Sequence, residues 1–363
     1  MAETCHGLTD CLKQQNLTVI SMDIKNVSLP LNLTRINSEV IGRYFKAVLL
    51  TCISCLIICS NLLNILVIQK TLQLPRITRI CILNMSVSDL LVGLISCFPC
   101  IIPAFTGVWP YGEIWCQFAG IIHGTSVTIS IWSLSLISID RYFAIVRPLK
   151  SRCLLTPSKV ITTITFLWVI ALITFSAPLP TKRDFLYYQY SADEMICGLY
   201  WESRWFCLST ALYIPITSAC TIIYTNFKVT RKVIESRRMV AIWRTGRSSG
   251  QNEMRAVKLL TIATVVYFIS WGPYVIQVII ISMTNITNVP SNVRFATMWL
   301  ANCNSFSNVF VYSAMYKSFR RRAKFLVRSL FCCLKDDTFH LTSTSDKMFY
   351  KSSSSKDPAE LFD

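Results

Sequence analysis

The chain has 363 residues, of which 53% are hydrophobic and only 15% are charged. A soluble domain of this size carries about 25% charged residues, so the composition indicates a membrane protein. The formal net charge is +17, but the basic residues fall between apolar runs, which argues against a nucleic-acid-binding protein. Most of the 16 cysteines lie inside apolar runs, where cysteine is ordinarily a small buried hydrophobic residue, so a disulfide-rich secreted domain is also excluded.

Seven apolar segments are long enough to cross a bilayer as helices, which takes about 20 residues. They lie at roughly 45–69, 77–104, 114–139, 160–179, 205–227, 257–283 and 294–315. The seventh segment is the least apolar because it contains several asparagines, and helices that pack against one another carry such residues on their inner faces. We therefore predict an all-α membrane protein, a bundle of seven transmembrane helices followed by a short amphipathic helix.

The distribution of basic residues predicts the orientation in the membrane. They are concentrated after the first, third, fifth and seventh spans, so the N-terminus is expected outside the cell and the C-terminus in the cytoplasm. Three glycosylation sequons, at Asn16, Asn26 and Asn32, agree with an outer N-terminal tail, although unused acceptors are the alternative. The chain start lacks the pattern of a cleavable signal peptide, so the first span is expected to act as the insertion signal.

Four parts follow from this pattern: an extracellular glycosylated tail at 1–43, the membrane bundle at 44–316, a membrane-surface amphipathic helix at 317–333, and a serine-rich cytoplasmic tail at 334–363. The last part is polar enough to predict disorder. Cys332 and Cys333 end the amphipathic helix and are candidates for palmitoylation. A short basic loop around 228–255 is expected to join the fifth and sixth spans.

One acidic residue, Asp89, lies within an apolar segment, where an ionisable group is costly and is by default a functional hypothesis. The third and seventh spans offer hydroxyls and amides to accompany it: Ser130, Asn304, Ser305 and Asn308. A carboxylate among such groups suits a small hard cation or a proton. The alternative is a polar network that only joins the helices.

Prolines interrupt the fourth, fifth and sixth spans at Pro178, Pro215 and Pro273. Each frees a backbone carbonyl and permits a kink, which bundled helices tolerate. Trp271 lies two residues before Pro273, so its ring is a candidate lever beside the kink. Simple packing in the core is the alternative role for this tryptophan.

Taken in chain order, these features resemble the rhodopsin-like (class A) G-protein-coupled receptors over roughly residues 44–330. The landmarks fall in all seven spans: Asn61, LNMSVSDLL with Asp89, WPYG before Cys116, IDRYFAIVRPL, Trp168, Pro215, SWGPY and NVFVY. The stretch WLANCNSF and the missing proline of the seventh span are similar to orphan receptors near the amine-receptor group. The resemblance implies a plasma-membrane receptor with no enzymatic activity.

The same resemblance implies a disulfide between Cys116 and Cys197, which would hold the loop between the fourth and fifth spans over the bundle. A pair between Cys5 and Cys11 is a second and much less supported candidate. It also implies that Asp89, together with the hydroxyls and amides named above, holds an allosteric sodium ion, and no other cofactor is expected.

A ligand entering from outside is expected between the third, fifth, sixth and seventh spans. The candidate walls are His123, Val127, Trp271, Tyr274, Gln277, Trp299 and Asn302. Receptors for biogenic amines carry an aspartate where this chain has His123, so an amine lacks its usual counter-ion. Retinal-binding members carry a lysine at the position of Asn302, so a light receptor is not expected. His123 is either a ligand contact or a histidine satisfied inside the bundle.

At the cytoplasmic end, the resemblance implies that Arg141 pairs at rest with Asp140 and reaches Glu253 at the foot of the sixth span. Breaking this contact would let the sixth helix swing outward and admit a heterotrimeric G protein. The other residues implied in coupling and switching are Tyr142, Leu149, Pro273 and Tyr312. Receptor kinases and arrestin are expected partners of the serine-rich tail, and no nucleic acid is expected.

Other classes fit less well. A transporter would favour repeated halves with broken helices at matching positions, and the sequence shows no useful repeat. A membrane enzyme needs a nucleophile–base or metal cluster, which His6, His123 and His340 do not form. A receptor that signals constitutively without a ligand stays open, because Val309 replaces the proline usual in the seventh span.

Overall fold

A computed structural model describes residues 29–69, 75–177, 188–199, 204–243, 249–284, 289–315 and 319–329. Side chains are described at 40–69, 75–151, 153–177, 188–199, 208–236, 258, 261–284, 289–313 and 319–329. The predicted Asn16, Asn26, Cys332 and Cys333 lie outside the described residues. Asn32 and Glu253 lie in helices, but their side chains are outside the described part.

The predicted bundle of seven long helices is confirmed. The spans are Leu29–Gln69, Arg76–Thr106, Gly112–Val146, Pro157–Ser176, Arg204–Trp243, Ser249–Met283 and Ser291–Met315. The second span contains a π-helical stretch at Val92–Cys97 and a 3₁₀ turn at Phe98–Cys100 before it ends. A short helix, Pro148–Leu154, follows the third span, and residues 319–329 form a helix after the seventh.

Six of these helices are long and apolar enough to cross a membrane, counted over the described residues. The qualifying stretches are Val40–Gln69, Arg76–Thr106, Gly112–Val146, Pro157–Ser176, Leu208–Ser236 and Thr261–Met283. The seventh helix packs against the first and sixth spans. It therefore completes the bundle although its asparagines lower its hydropathy. The chain is a multi-pass membrane protein.

The basic loop predicted around 228–255 is mostly helical, so that prediction is wrong. The fifth helix continues to Trp243, and the sixth begins at Ser249. Lysine, arginine and glutamate are good helix formers, so a helix can continue past the end of its apolar run. Hydropathy therefore locates the membrane-crossing part of these helices and not their ends.

A two-stranded hairpin lies between the fourth and fifth spans, and it is the only sheet among the described residues. Strand β1 (Tyr188–Ser191) pairs antiparallel with β2 (Ile196–Leu199), with Tyr190 opposite Cys197. The predicted disulfide between Cys116 and Cys197 is confirmed and joins β2 to the start of the third span. The hairpin is therefore held over one end of the bundle, which we call the disulfide end.

Two apolar clusters fill the bundle. The cluster at the disulfide end includes Val92, Phe295 and Trp299, and the cluster at the opposite end includes Ile82, Val309 and Tyr312. Asp89 lies between them along the second span and is fully buried. Many large apolar side chains face outward, as expected for a surface in contact with lipid.

Candidate functional site

A cavity of about 150 Å³ opens beneath the hairpin at the disulfide end. Its walls come from the third to seventh spans and from both strands of the hairpin. Four of the predicted ligand-wall residues line it: His123, Val127, Trp271 and Tyr274. The rings of Trp271 and Tyr274 meet edge to face with centroids 6.0 Å apart. The structure thus brings these four predicted residues together around one space.

The other three predicted wall residues lie behind the cavity lining. Asn302 Oδ1 is 3.0 Å from His123 Nε2, and Gln277 Oε1 accepts a hydrogen bond of 2.8 Å from Thr297. Trp299 is 1% exposed, and its Nε1 donates to the backbone carbonyl of Glu194 at 2.8 Å. The contacts of Asn302 and Trp299 reach His123 and Glu194, which do line the cavity. Their direct contact with a ligand stays a prediction.

Two glycines of the third span shape the cavity wall. A Cβ at Gly120 would collide with the ring of Tyr188, and a Cβ at Gly124 would collide with the ring of Phe175. Both rings therefore pack directly on the helix backbone, and the Tyr188 hydroxyl donates to the Phe175 carbonyl at 2.8 Å. Sequence reasoning missed these wall residues, because the contacts depend on how the hairpin and the fourth span pack against the third span.

Glu194 also lines this cavity and was missed by sequence reasoning. It lies in the turn of the hairpin, is 2% exposed, and its Oε1 has no hydrogen-bond partner among the described residues. Burial raises the pKa of its carboxyl to about 7, while the charge of Arg294 lowers the pKa and that of Asp193 raises it. The cavity thus contains an acid that changes charge near neutral pH.

A second polar site surrounds Asp89 inside the bundle. Asn308 Nδ2 donates to Asp89 Oδ2 at 3.1 Å, and Ser130 and Ser305 also interact with this carboxylate. Within the described part of the chain, Asp89 Oδ1 and the Ser130 hydroxyl make no hydrogen bond of ordinary geometry. Hard cations prefer such oxygen ligands, so the residues present fit a small cation. Asn304 is only partly buried on the same helix.

Arg141 lies at the opposite end of the bundle, and its pairing with Asp140 is found as expected. Arg141 Nη2 is 2.6 Å from Asp140 Oδ2. Thr78, at the start of the second span, completes the cluster: its hydroxyl donates to Asp140 at 2.7 Å and accepts from Arg141 at 2.8 Å. Thr78 was not predicted, since one threonine among the many in the chain carries no local signal.

Three of the remaining switch residues, Tyr142, Leu149 and Tyr312, lie at this end of the bundle. The ring of Tyr142 is 6.2 Å from that of Tyr224, and the ring of Tyr312 is 6.4 Å from that of Phe319. Leu149 is 88% exposed on the short helix after the third span. Pro273 lies inside the sixth helix, near the cavity and far from this end. Their roles in coupling stay predictions.

Comparison with known proteins identifies the family. Residues 60–312 match the family described as 7 transmembrane receptor (rhodopsin family). This covers more than half of the chain, so the chain belongs to the rhodopsin family of seven-transmembrane receptors, as its motifs indicated. It is a receptor and not an enzyme.

Individual relatives agree with this assignment. Mouse neuropeptide FF receptor 2 is 25% identical over 80% of this chain and 75% of its own length. Mouse trace amine-associated receptor 7a is 26% identical over 75% of this chain and 79% of its own. The crystal structure of squid rhodopsin has the same fold, with a TM-score of 0.70 at 20% identity, and the match covers 81% of this chain and 87% of that one.

The buried acid at Glu194 predicts a specific pH dependence of stability. Its pKa is raised in the folded protein, so folding favours the protonated form, and the stability contribution is lost as the pH rises from the unfolded value towards about 7. Glu194→Gln should therefore stabilise the protein at about pH 8, by at most about 3 kcal/mol, and have little effect near pH 5. Thermal unfolding of the purified protein across this range measures the difference.

Glu113→Gln is the matched control, because Glu113 is an exposed acid at the same end of the bundle, in the first turn of the third span. Its unfolding profile should follow that of the unmodified protein. If the unmodified protein and Glu194→Gln gave parallel pH profiles, ionisation of Glu194 would not reduce the stability of the folded protein, and the prediction would be wrong.

Proposed function

We propose that this receptor binds a small extracellular ligand in the cavity beneath the hairpin. We further propose that it activates a heterotrimeric G protein at the opposite end of the bundle, where Arg141, Asp140 and Thr78 lie, which we call the Arg141 end. The observation that supports this most directly is that the third span carries both sites. His123 and Val127 line the cavity, while Asp140 and Arg141 lie farther along the same helix. A rearrangement of the spans around this helix would affect both ends.

The cavity supports the ligand half of the proposal. It is enclosed by five spans and the hairpin, and its lining is mostly apolar with a few polar groups. Such cavities are typical of small-molecule sites. A ligand shifts the receptor between states only by the difference in its affinity for them. Trp271 and Tyr274, on the sixth span, are the groups through which a bound ligand would favour one position of that helix.

The Thr78 cluster supports the signalling half. Arg141 is held by the carboxylate of Asp140 and by the hydroxyl of Thr78, and Asp140 is buried. We propose that this contact, together with Glu253 on the sixth span, defines the resting state. Its release lets the sixth helix move outward, and Tyr142, Leu149 and the freed Arg141 then contact the G protein. Pro273 and Tyr312 would accommodate the helix movements.

We further propose a location in the plasma membrane with the N-terminus outside and the C-terminus in the cytoplasm. The basic residues of the segments after the odd-numbered spans support this orientation. Glycosylation of the N-terminal tail, palmitoylation at Cys332 and Cys333, and recruitment of receptor kinases and arrestin to the serine-rich tail belong to the same proposal.

Constitutive signalling without a ligand is a second candidate. The seventh span is one continuous helix through Val309, which is buried at the position where the family usually has proline. Without the proline, the seventh helix keeps the backbone hydrogen bond that proline would remove. A different balance between resting and active states follows from this difference.

The signalling proposal predicts second-messenger changes in transfected cells. Cyclic AMP and calcium should change either basally or on exposure to a broad panel of small ligands, and Arg141→Ala should abolish the response at equal surface expression. Arg328→Ala is the matched control, because Arg328 is an exposed arginine on the helix at 319–329. A receptor that reaches the surface and gives no response under any condition would contradict the proposal.

The resting contact predicts a gain of basal signalling. Thr78→Val keeps the side-chain shape and removes both hydrogen bonds, so it should shift the balance towards the active state by about 1.5 kcal/mol, or about tenfold. Glu253→Ala should act in the same direction. Thr163→Val is the control, since its exposed hydroxyl donates to the Lys159 carbonyl of its own helix. Unchanged basal cyclic AMP and calcium in Thr78→Val would rule out the contact as a restraint.

The polar site at Asp89 is proposed to hold an allosteric sodium ion, with oxygens from Asp89, Ser130, Asn304, Ser305 and Asn308 as candidate ligands. Sodium chloride should then raise the thermal midpoint of the purified receptor above that in equal potassium chloride, and Asp89→Asn should remove the difference. Ser88→Ala is the control, because the Ser88 hydroxyl bonds to Met85 of its own helix. A sodium effect that survives in Asp89→Asn would place the ion elsewhere.

A further inference from the structure

One carboxylate lines the cavity beneath the hairpin, and no described basic side chain forms a salt bridge with it. Glu194 lines the cavity, and its Oε2 lies 3.5 Å from where a Cβ of Gly198 would stand. Gly198 lines the same cavity, so the carboxylate is at the cavity wall. The missing partner for Oε1 is unusual, because buried carboxylates are normally paired or hydrogen-bonded.

The backbone around Glu194 is held firmly. Its N–H donates to the Ser191 hydroxyl at 3.2 Å, and its carbonyl accepts from Trp299 at 2.8 Å. The disulfide at Cys197 holds the adjacent strand against the third span. The carboxylate is therefore presented at a fixed place, and little conformational entropy is lost when a ligand binds it.

Two charged side chains act on this carboxylate, and neither forms a salt bridge with it among the described residues. Arg294, on the seventh span, acts on Glu194 through space, and Asp193 adds a negative charge beside it. His123, which lines the same cavity, is already in contact with Asn302. Among the described side chains that line the cavity, Glu194 is the only acid.

The rest of the cavity suits one aromatic ring. Its volume of about 150 Å³ matches cavities that accept a benzene-sized molecule. Val127, Phe175, Trp271 and Tyr274 provide apolar and aromatic walls. Aromatic faces also attract cations. A ligand with an aromatic ring joined by a short linker to an ammonium group would match both the apolar walls and the Glu194 carboxylate.

We infer that Glu194 is the anchor for the ammonium group of a small aromatic monoamine whose ring occupies the cavity beneath the hairpin. This inference rests on the proposed function and names the ligand class of that site. The acid thus comes from the hairpin turn, while the third span contributes a histidine.

Direct binding to the purified full-length receptor tests this without a G protein. The probes are phenethylamine, which is cationic at neutral pH, and 2-phenylethanol, its neutral counterpart of similar shape. Phenethylamine should raise the thermal midpoint at lower concentration than 2-phenylethanol. Glu194→Gln should weaken phenethylamine at least about tenfold and leave 2-phenylethanol unchanged, since a hydrogen bond to a charged group is lost.

Two further variants sharpen the result. Glu113→Gln, which removes an exposed acid at the start of the third span, should bind phenethylamine as the unmodified receptor does. Glu194→Asp keeps the charge but shortens the side chain by one methylene, so it should bind phenethylamine with intermediate affinity. This variant serves as the test if Glu194→Gln is poorly expressed.

Equal binding of phenethylamine to the unmodified receptor and Glu194→Gln, or no binding of phenethylamine at all, would overturn the assignment. If Arg141-dependent signalling persists with either result, the role of Glu194 as the ammonium anchor is rejected and the proposed function is not. Loss of Arg141-dependent signalling with intact, Glu194-dependent binding would instead contradict the proposed function.

Discussion

Polar side chains inside a membrane must find partners within the protein, because lipid offers none, and the rest of this bundle depends on that constraint. Asn61 of the first span donates to the Ser305 carbonyl of the seventh at 3.0 Å. Asn84 of the second span joins Ser133 of the third and Trp168 of the fourth. Lipid chains are as apolar as the helix surfaces, so the hydrophobic effect does not drive these helices together. Hydrogen bonds of this kind connect them instead.

The same constraint explains why the sites lie where they do. Asp89 and Asp140 are both buried and both face hydroxyls or amides of neighbouring spans. A buried charge with incomplete partners can be satisfied in more than one way, by a neighbouring helix, an ion or another protein. Such groups are therefore where two arrangements of the bundle can have similar free energies, as a receptor that changes state requires.

The hairpin adds a second kind of restraint at the other end. It is fastened by one disulfide, by the Trp299 contact and by the ring of Tyr188 packed on Gly120. These contacts tie it to the third and seventh spans. A ligand beneath the hairpin would therefore touch groups whose positions already depend on those two helices, so its binding energy would act on the spans that reach the Arg141 end.

Local hydropathy located the spans, and motifs in all seven spans indicated the family. The resemblance to that family then implied the disulfide and the Asp140–Arg141 pair. Which side chains face the cavity could not be predicted in this way. Gln277, Trp299 and Asn302 lie on the expected spans yet stand behind the wall, since facing depends on how each helix is rotated against its neighbours. Thr78 and Glu194 carry no local signal at all. Their importance arises from contacts between segments far apart in the chain, which helix packing and the folded hairpin create.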